Sequence, residues 1–342
     1  AWVVNEVSDT VTIVSLSTNS VITTLRVGDE PGDVVFASGK AFVSCSRAGT
    51  IKVFDATTRA DLGTITLTGD YPRALCVSHD GSTVYAAFLF SGNNTTILPR
   101  TQAPPQPAPT NPSLPPPPQT ALIVPSDDPR ISFNVLDHDV AEIDVASQTV
   151  TQYHSDLGTH LFDLAVRPGG TELWVANTES HNTIATEPAL NGIFATNRVS
   201  RHTLGSSTDY FDVAYHAQPT GIIFNASGTV AWISAFAVDR VAELDPATGN
   251  LTGSVNVRTE DSSSKNMRGP RGLVLDETSG RLFVLNKLAN TITTIDINTL
   301  AVTNEVEIGS HDPTPLEVKQ GRGFLFDARL SGAGNVALLR DH

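Results

Sequence analysis

The chain has 342 residues, 40% of them hydrophobic and only 17% charged, enough apolar material for one large domain with a sizeable core. Its 22 basic residues against 36 acidic ones leave a formal charge of −14. That charge argues against nucleic acid and anionic membranes, which reward Lys and Arg, and favours a basic partner or a cation. No run of about 20 apolar residues is present, so no transmembrane segment is expected.

In chain order, "WVVN" opens on an aromatic and is followed by a turn at Ser8-Asp9 and the alternating strand "TVTIVS". A turn at Thr18-Asn19, the strand "VITTLRV", the loop "GDEP" and the strand "DVVFA" come next. The same order returns in "AFVSC", "TIKVFD" and "YPRALCVSHDG". It returns again in "VAWISAF" with "RVAELDPATGNLTGSVNV", and in "RLFVLN" with "NTITTIDINTLAVTNEVEIG". Such repetition predicts an all-β propeller of four-stranded antiparallel blades over residues 1–342 as a single domain.

An aromatic head marks each unit, at Trp2, Phe42, Tyr85, Trp174, Trp232, Phe283 and Phe324. One large ring per unit fills the wedge between neighbouring twisted sheets, so the three tryptophans are read as core. Seven heads predict seven blades. Six is the alternative, because the first unit lacks an inner strand and little chain follows the last. The 89-residue interval after Tyr85 holds a Pro-rich insertion at 91–134; residues 99–129 alone contain 12 of the 21 prolines, which rules out central strands there. A smaller insertion is expected at 179–196. Cys45 and Cys76 lie on separate predicted strands, and are read as small buried residues unless those strands are neighbours. The chain begins at Ala1 rather than Met, which fits a processed product of an exported precursor.

No Gly-x-Ser-x-Gly, phosphate loop, His-Glu-x-x-His or Cys-x-x-Cys motif occurs, so nucleophilic and nucleotide chemistry find no support. The repeat places the loops before inner strands on the same face as the loops between second and third strands. His160, His216 and His311 fall in the first kind, His138 and His181 in the second. These five of the nine histidines are candidate ligands for Cu, Zn or Fe at a channel mouth, with Asp137, Asp139 or Asp312 nearby. The alternative is that they are solvated or cap turns. On the same face Arg73, Arg268 and Arg271 are candidate anion ligands, or else neutralise local acidity. "YPRAL" and "GPRGL" give Arg73 and Arg271 equivalent positions.

The stretches "WVVN", "SDTVTIVS", "VITTLRVGDEPGDVVF", "LWVANT" and "LFVLNKLANTITTID" resemble the YVTN-type β-propeller repeats over nearly the whole chain outside the insertions. The tail "GRGFLFDARLSGAGNV" resembles the junction at which such a propeller runs into a di-haem cytochrome c domain of the cytochrome c peroxidase and MauG type. Residues 322–342 then form a degenerate junction. Leu338 and Asp341 stand where that family has its haem-attaching cysteines, with His342 at the ligand histidine, so covalent haem attachment is excluded. The resemblance implies a periplasmic or extracellular propeller that binds or docks a partner, a c-type cytochrome in electron transfer or another protein. Two other classes stay open: a metal-dependent oxidoreductase or other enzyme at the histidine-bearing mouth, and a cell-surface structural protein.

Overall fold

Alternating β-branched residues fold as antiparallel sheet wherever turn residues let the chain reverse. The computed structural model describes residues 1–103, 108–109, 111–115, 122–181, 195–258, 266–309, 312 and 314–329. Blade one is a three-stranded sheet of β1 (Trp2–Asn5), β2 (Thr10–Ser15) and β3 (Ser20–Arg26). Blade two is β4 (Pro31–Ala37), β5 (Lys40–Cys45), β6 (Thr50–Asp55) and β7 (Asp61–Thr66). In blade three, β8 (Asp70–Val77) and β9 (Thr83–Phe90) are followed by a separate hairpin, β10 (Thr95–Leu98) with β11 (Leu122–Pro125). The blade is completed by β12 (Val140–Asp144) and β13 (Thr149–His154). Blade four is β14 (His160–Val166), β15 (Glu172–Ser180), β16 (Ala195–Thr203) and β17 (Thr208–Asp212). Blade five is β18 (Pro219–Phe224), β19 (Ala231–Ala235), β20 (Arg240–Leu244) and β21 (Leu251–Asn256). Blade six is β22 (Pro270–Asp276), β23 (Arg281–Asn286), β24 (Thr291–Asp296) and β25 (Ala301–Glu307), and helix α1 (Leu316–Phe326) follows.

The propeller therefore has six blades, the alternative count, and not seven. Phe324 has the right interval but the wrong local pattern: "LEVKQGRGFLF" does not alternate, follows Pro315, and forms α1, where Phe324 is 42% exposed. The Pro-rich insertion is bypassed, since β12 pairs directly with β9 through Tyr85 and Glu142. At the smaller insertion β15 and β16 pair out to Ser180 and Ala195, and residues 182–194 lie outside the described residues. Both cysteines are free thiols. No helix among the described residues is long and apolar enough to cross a membrane.

The six remaining heads occupy one register. Trp2 sits on the first strand of the three-stranded blade one and the others on the second strands of their sheets, and each faces a residue of the following strand, Ile13, Val53, Glu142, Arg201, Glu243 or Thr294. In every blade but the fourth that facing residue is the last before a bulge. The first five rings pack toward the following blade. Trp2 meets Phe36 and Phe54, Phe42 shares a buried cluster with Val84 and Phe88, and Tyr85 shares one with Leu164 and Leu173. Trp174 meets Phe224 in a cluster that includes Ile222, and Trp232 shares one with Leu282 and Val284. Phe283, in the last blade, shares its face with Val274 and Leu285, which are 64% and 41% exposed.

Blade joints constrain turns as well as rings. Gly249 has φ +74°, and a Cβ there would meet Phe211 Cδ1 of blade four at 1.9 Å; Gly169, with φ +75°, has open space around it. Gly249→Ala is expected to destabilise by about 1–3 kcal/mol more than Gly169→Ala, because only the first adds a clash to the backbone strain. Urea unfolding of the two variants measures the difference.

Candidate functional site at the channel mouth

Inner strands β4, β8, β14, β18 and β22 pack in succession around the axis. Each carries a register shift near its start, after Pro31, Pro72, Leu161, Pro219 and Pro270. Proline has no N–H to lose at such a break, and a bulge re-aims the side chain that follows it. The residues so placed are Gly32, Arg73, Phe162, Thr220 and Arg271. Arg73 and Arg271 are thus equivalent, as their flanking residues indicate.

Carboxylates fasten one blade to the next at this end. The Asp9 carboxylate accepts the Glu30 N–H at 3.1 Å, and that of Asp239 accepts the Arg268 and Gly269 N–H groups at 3.0 and 2.9 Å. Asp139 accepts the Leu157 and Gly158 N–H groups and the Ser91 hydroxyl. In each case the segment after the strand that bears the aromatic head reaches the loop before the next inner strand, so these two loop classes share a face. Deeper in the wall, Asp33 accepts the Leu75 and Val34 N–H groups, and Asp163 those of Ile222 and Leu164. Burial raises the Asp33 carboxyl above its usual range and pushes both Asp139 and Asp163 up to about 7.

A group of cations lies between these latches. Arg73 places Nη1 and Nη2 each 3.4 Å from Glu6 Oε1, and Lys287 Nζ is 4.0 Å from Glu6 Oε2. Arg271 makes no ion pair among the described residues; burial and the charge of Arg73 lower its pKa, and burial with Arg271 and Arg73 lowers that of Lys287. Arg268 stands apart, with Nε 2.7 Å from Glu305 Oε1 and Nη1 donating to the Asn266 carbonyl.

The described candidate histidines serve local structure. His138 stacks on Tyr153 at 4.0 Å and donates Nδ1–H to the Thr68 carbonyl at 2.6 Å. It also lines a cavity of about 470 Å³ with Gly69, Asp70, Phe90 and Leu136, and His160 meets Phe90 edge-on at 5.6 Å. His181 Nε2 lies 2.6 Å from Thr196 Oγ1; His216 donates Nδ1–H to Ala214 and places Nε2 2.8 Å from Ser254 Oγ. His311 lies outside the described residues. Among the described residues no three His, Cys, Asp or Glu side chains form a group that could hold a metal ion. Asp312 pairs with Lys319 at 2.9 Å. Sequence reasoning missed the buried pair His154 and His202, whose rings are bridged at 3.1 Å with Glu142 beyond, because the two lie on different blades.

From the last residue of α1 onward, four consecutive residues are held against blade five. Phe326 meets Phe236 edge-on at 5.8 Å, and Asp327 lies 3.4 Å from the buried Arg258. The Ala328 N–H reaches the Ala237 carbonyl at 2.9 Å, and Arg329 lies 3.4 Å from Asp239 and 2.9 Å from Asp327. Burial pushes the Asp327 carboxyl up to about 6, against the pull of Arg258. Leu338, Asp341 and His342 lie outside the described residues.

Fold and mouth together define a six-bladed β-propeller with a charged, loop-lined opening. No protein-family model and no curated protein matches the chain. Among solved structures it is similar to the hydrazine synthase of Kuenenia stuttgartiensis, with a TM-score of 0.66 and 19% identity over 86% of this chain and 79% of that one. At that identity the likeness shows the shared fold.

Proposed function

We propose that this YVTN-type propeller is an exported binding or docking module, working in the periplasm or outside the cell, whose mouth seats a c-type cytochrome in an electron transfer. The observation that carries the reading is the clamp at Phe326–Arg329: all four residues contact blade five, so the stretch that resembles a cytochrome junction is fastened to the mouth. With Leu338 and Asp341 at the attachment positions, this stretch offers no thioether anchor for haem, and the proposed haem is the cytochrome's own. A formal charge of −14 suits a basic partner, and such attraction weakens with salt.

The expected result is that a basic c-type cytochrome binds the purified full chain at about 20 mM salt and about tenfold more weakly at 200 mM. Sedimentation with detection in the haem band measures it. Absence of any complex at low ionic strength overturns the reading.

A further inference from the structure

The cation group at the mouth has the makings of an anion site. Counting four residues on from each aromatic head gives Glu6 in blade one, Ser46 in blade two and Lys287 in blade six. Arg73 and Arg271 come from the matching bulges of blades three and six. At the corresponding bulge in blade two stands Gly32, where a Cβ would come 2.9 Å from Arg73 Cγ and 3.2 Å from Ser46 Oγ. Its missing side chain is what lets Arg73 lean across blade two toward Glu6 of blade one.

What these groups lack is a full complement of acceptors. The two Arg73 nitrogens share one Glu6 oxygen at 3.4 Å, well beyond the distance of about 2.8 Å usual for a charge-assisted hydrogen bond. The Ser46 hydroxyl is buried, its residue 2% exposed, and finds no hydrogen-bond partner among the described residues. Arg271 has no ion pair among the described residues. Lys287 and Glu6 are about half exposed, which leaves a path from solvent.

We propose that this end of the channel binds a small oxydianion of the sulfate or phosphate class, held by Arg73, Arg271 and Lys287 and by a hydrogen bond from Ser46, with Glu6 as the internal carboxylate that the ligand displaces. A dianion has more acceptor oxygens than a single carboxylate and twice its charge, so it satisfies donors that Glu6 reaches only at long range. The other carboxylates facing the group are Asp33 and Asp163, whose oxygens already accept backbone N–H groups. The Cys76 thiol beside them is kept protonated by burial and by those carboxylates. Ionisation of Asp163 adds a negative charge near Arg271, so binding weakens as pH rises from 6 to 8.

Sulfate is the probe, because its charge is fixed over that range. Calorimetric titration of the purified full chain, with ionic strength balanced by sodium chloride, is expected to show one site. Arg271→Gln weakens it by about tenfold or more, and Glu6→Gln tightens it several-fold. Because the Arg271 side chain forms no ion pair among the described residues, its variant is expected to retain the wild-type unfolding transition. A wild-type protein without saturable binding through about 20 mM sulfate overturns the proposal. So does an affinity that neither Arg271→Gln nor Glu6→Gln changes.

Discussion

Trp174→Ala is expected to destabilise the protein by about 3–5 kcal/mol, and Phe283→Ala, at the same register position, by no more than about 2 kcal/mol. Trp174 is fully buried. It stacks on Phe211 and meets Phe224 edge-on, both at 5.6 Å, and its indole N–H donates to Glu172 at 3.2 Å. Truncation there removes the ring and leaves a cavity between blades four and five that two packed sheets cannot collapse to fill. Phe283 has the same neighbours along its strand but an open side, with Val274 and Leu285 exposed around it. Water already reaches that face, so its loss creates little cavity. Urea unfolding, with slopes compared to detect changes in the unfolded state, measures both. Equal losses would mean that the heads do not act as wedges between successive blades.

The same pair of residues shows what could be read beforehand. The heads were legible because a ring that fills an inter-blade wedge must recur in one register, and a strand buried on both faces must be apolar along its length. Spacing without alternation was not enough: Phe324 sits 41 residues after Phe283, yet its surroundings form α1. At the mouth, the equivalence of Arg73 and Arg271 was visible in the proline that precedes each. Glu6, Ser46 and Lys287 also share a register, but an acid, a hydroxyl and a base share no composition signal, and their proximity depends on the bare Gly32. Equivalent loop positions do not bring the described histidine side chains together, because the blades fan outward from the axis and each finds a partner within its own blade or a neighbouring one.

Buried carboxylates also set how stability responds to pH. Asp139 is fully buried, and its donors, two backbone N–H groups and the Ser91 hydroxyl, favour the ionised form. Burial opposes them and wins, holding the group at about 7 against an ordinary value of 3.8. Asp163 is raised to about 7 by the same cause, and Asp327 to about 6. Between about pH 4 and 7 the folded chain therefore holds protons that the unfolded chain has released, and unfolding becomes easier as pH rises, by up to about 1.4 kcal/mol per pH unit for Asp139 alone. Asp80, exposed and bonded by Ser78 and Ser82, and Asp128, bonded by Arg130, are lowered to about 2, and the stability they add is lost only as pH falls through the acid range below about 4. Stability is thus expected to peak near pH 4 and to fall until about pH 7. Asparagine carries no charge at the same shape and still offers its carbonyl to the Leu157 and Gly158 N–H groups, so Asp139→Asn flattens the descent, and Asp163→Asn flattens it further. Chemical denaturation at half-unit steps from pH 4 to 8 traces the curve. A profile that climbs over that range, or keeps its slope in both variants, would mean that these latches are ionised in the folded chain and that donors outweigh burial at the blade joints.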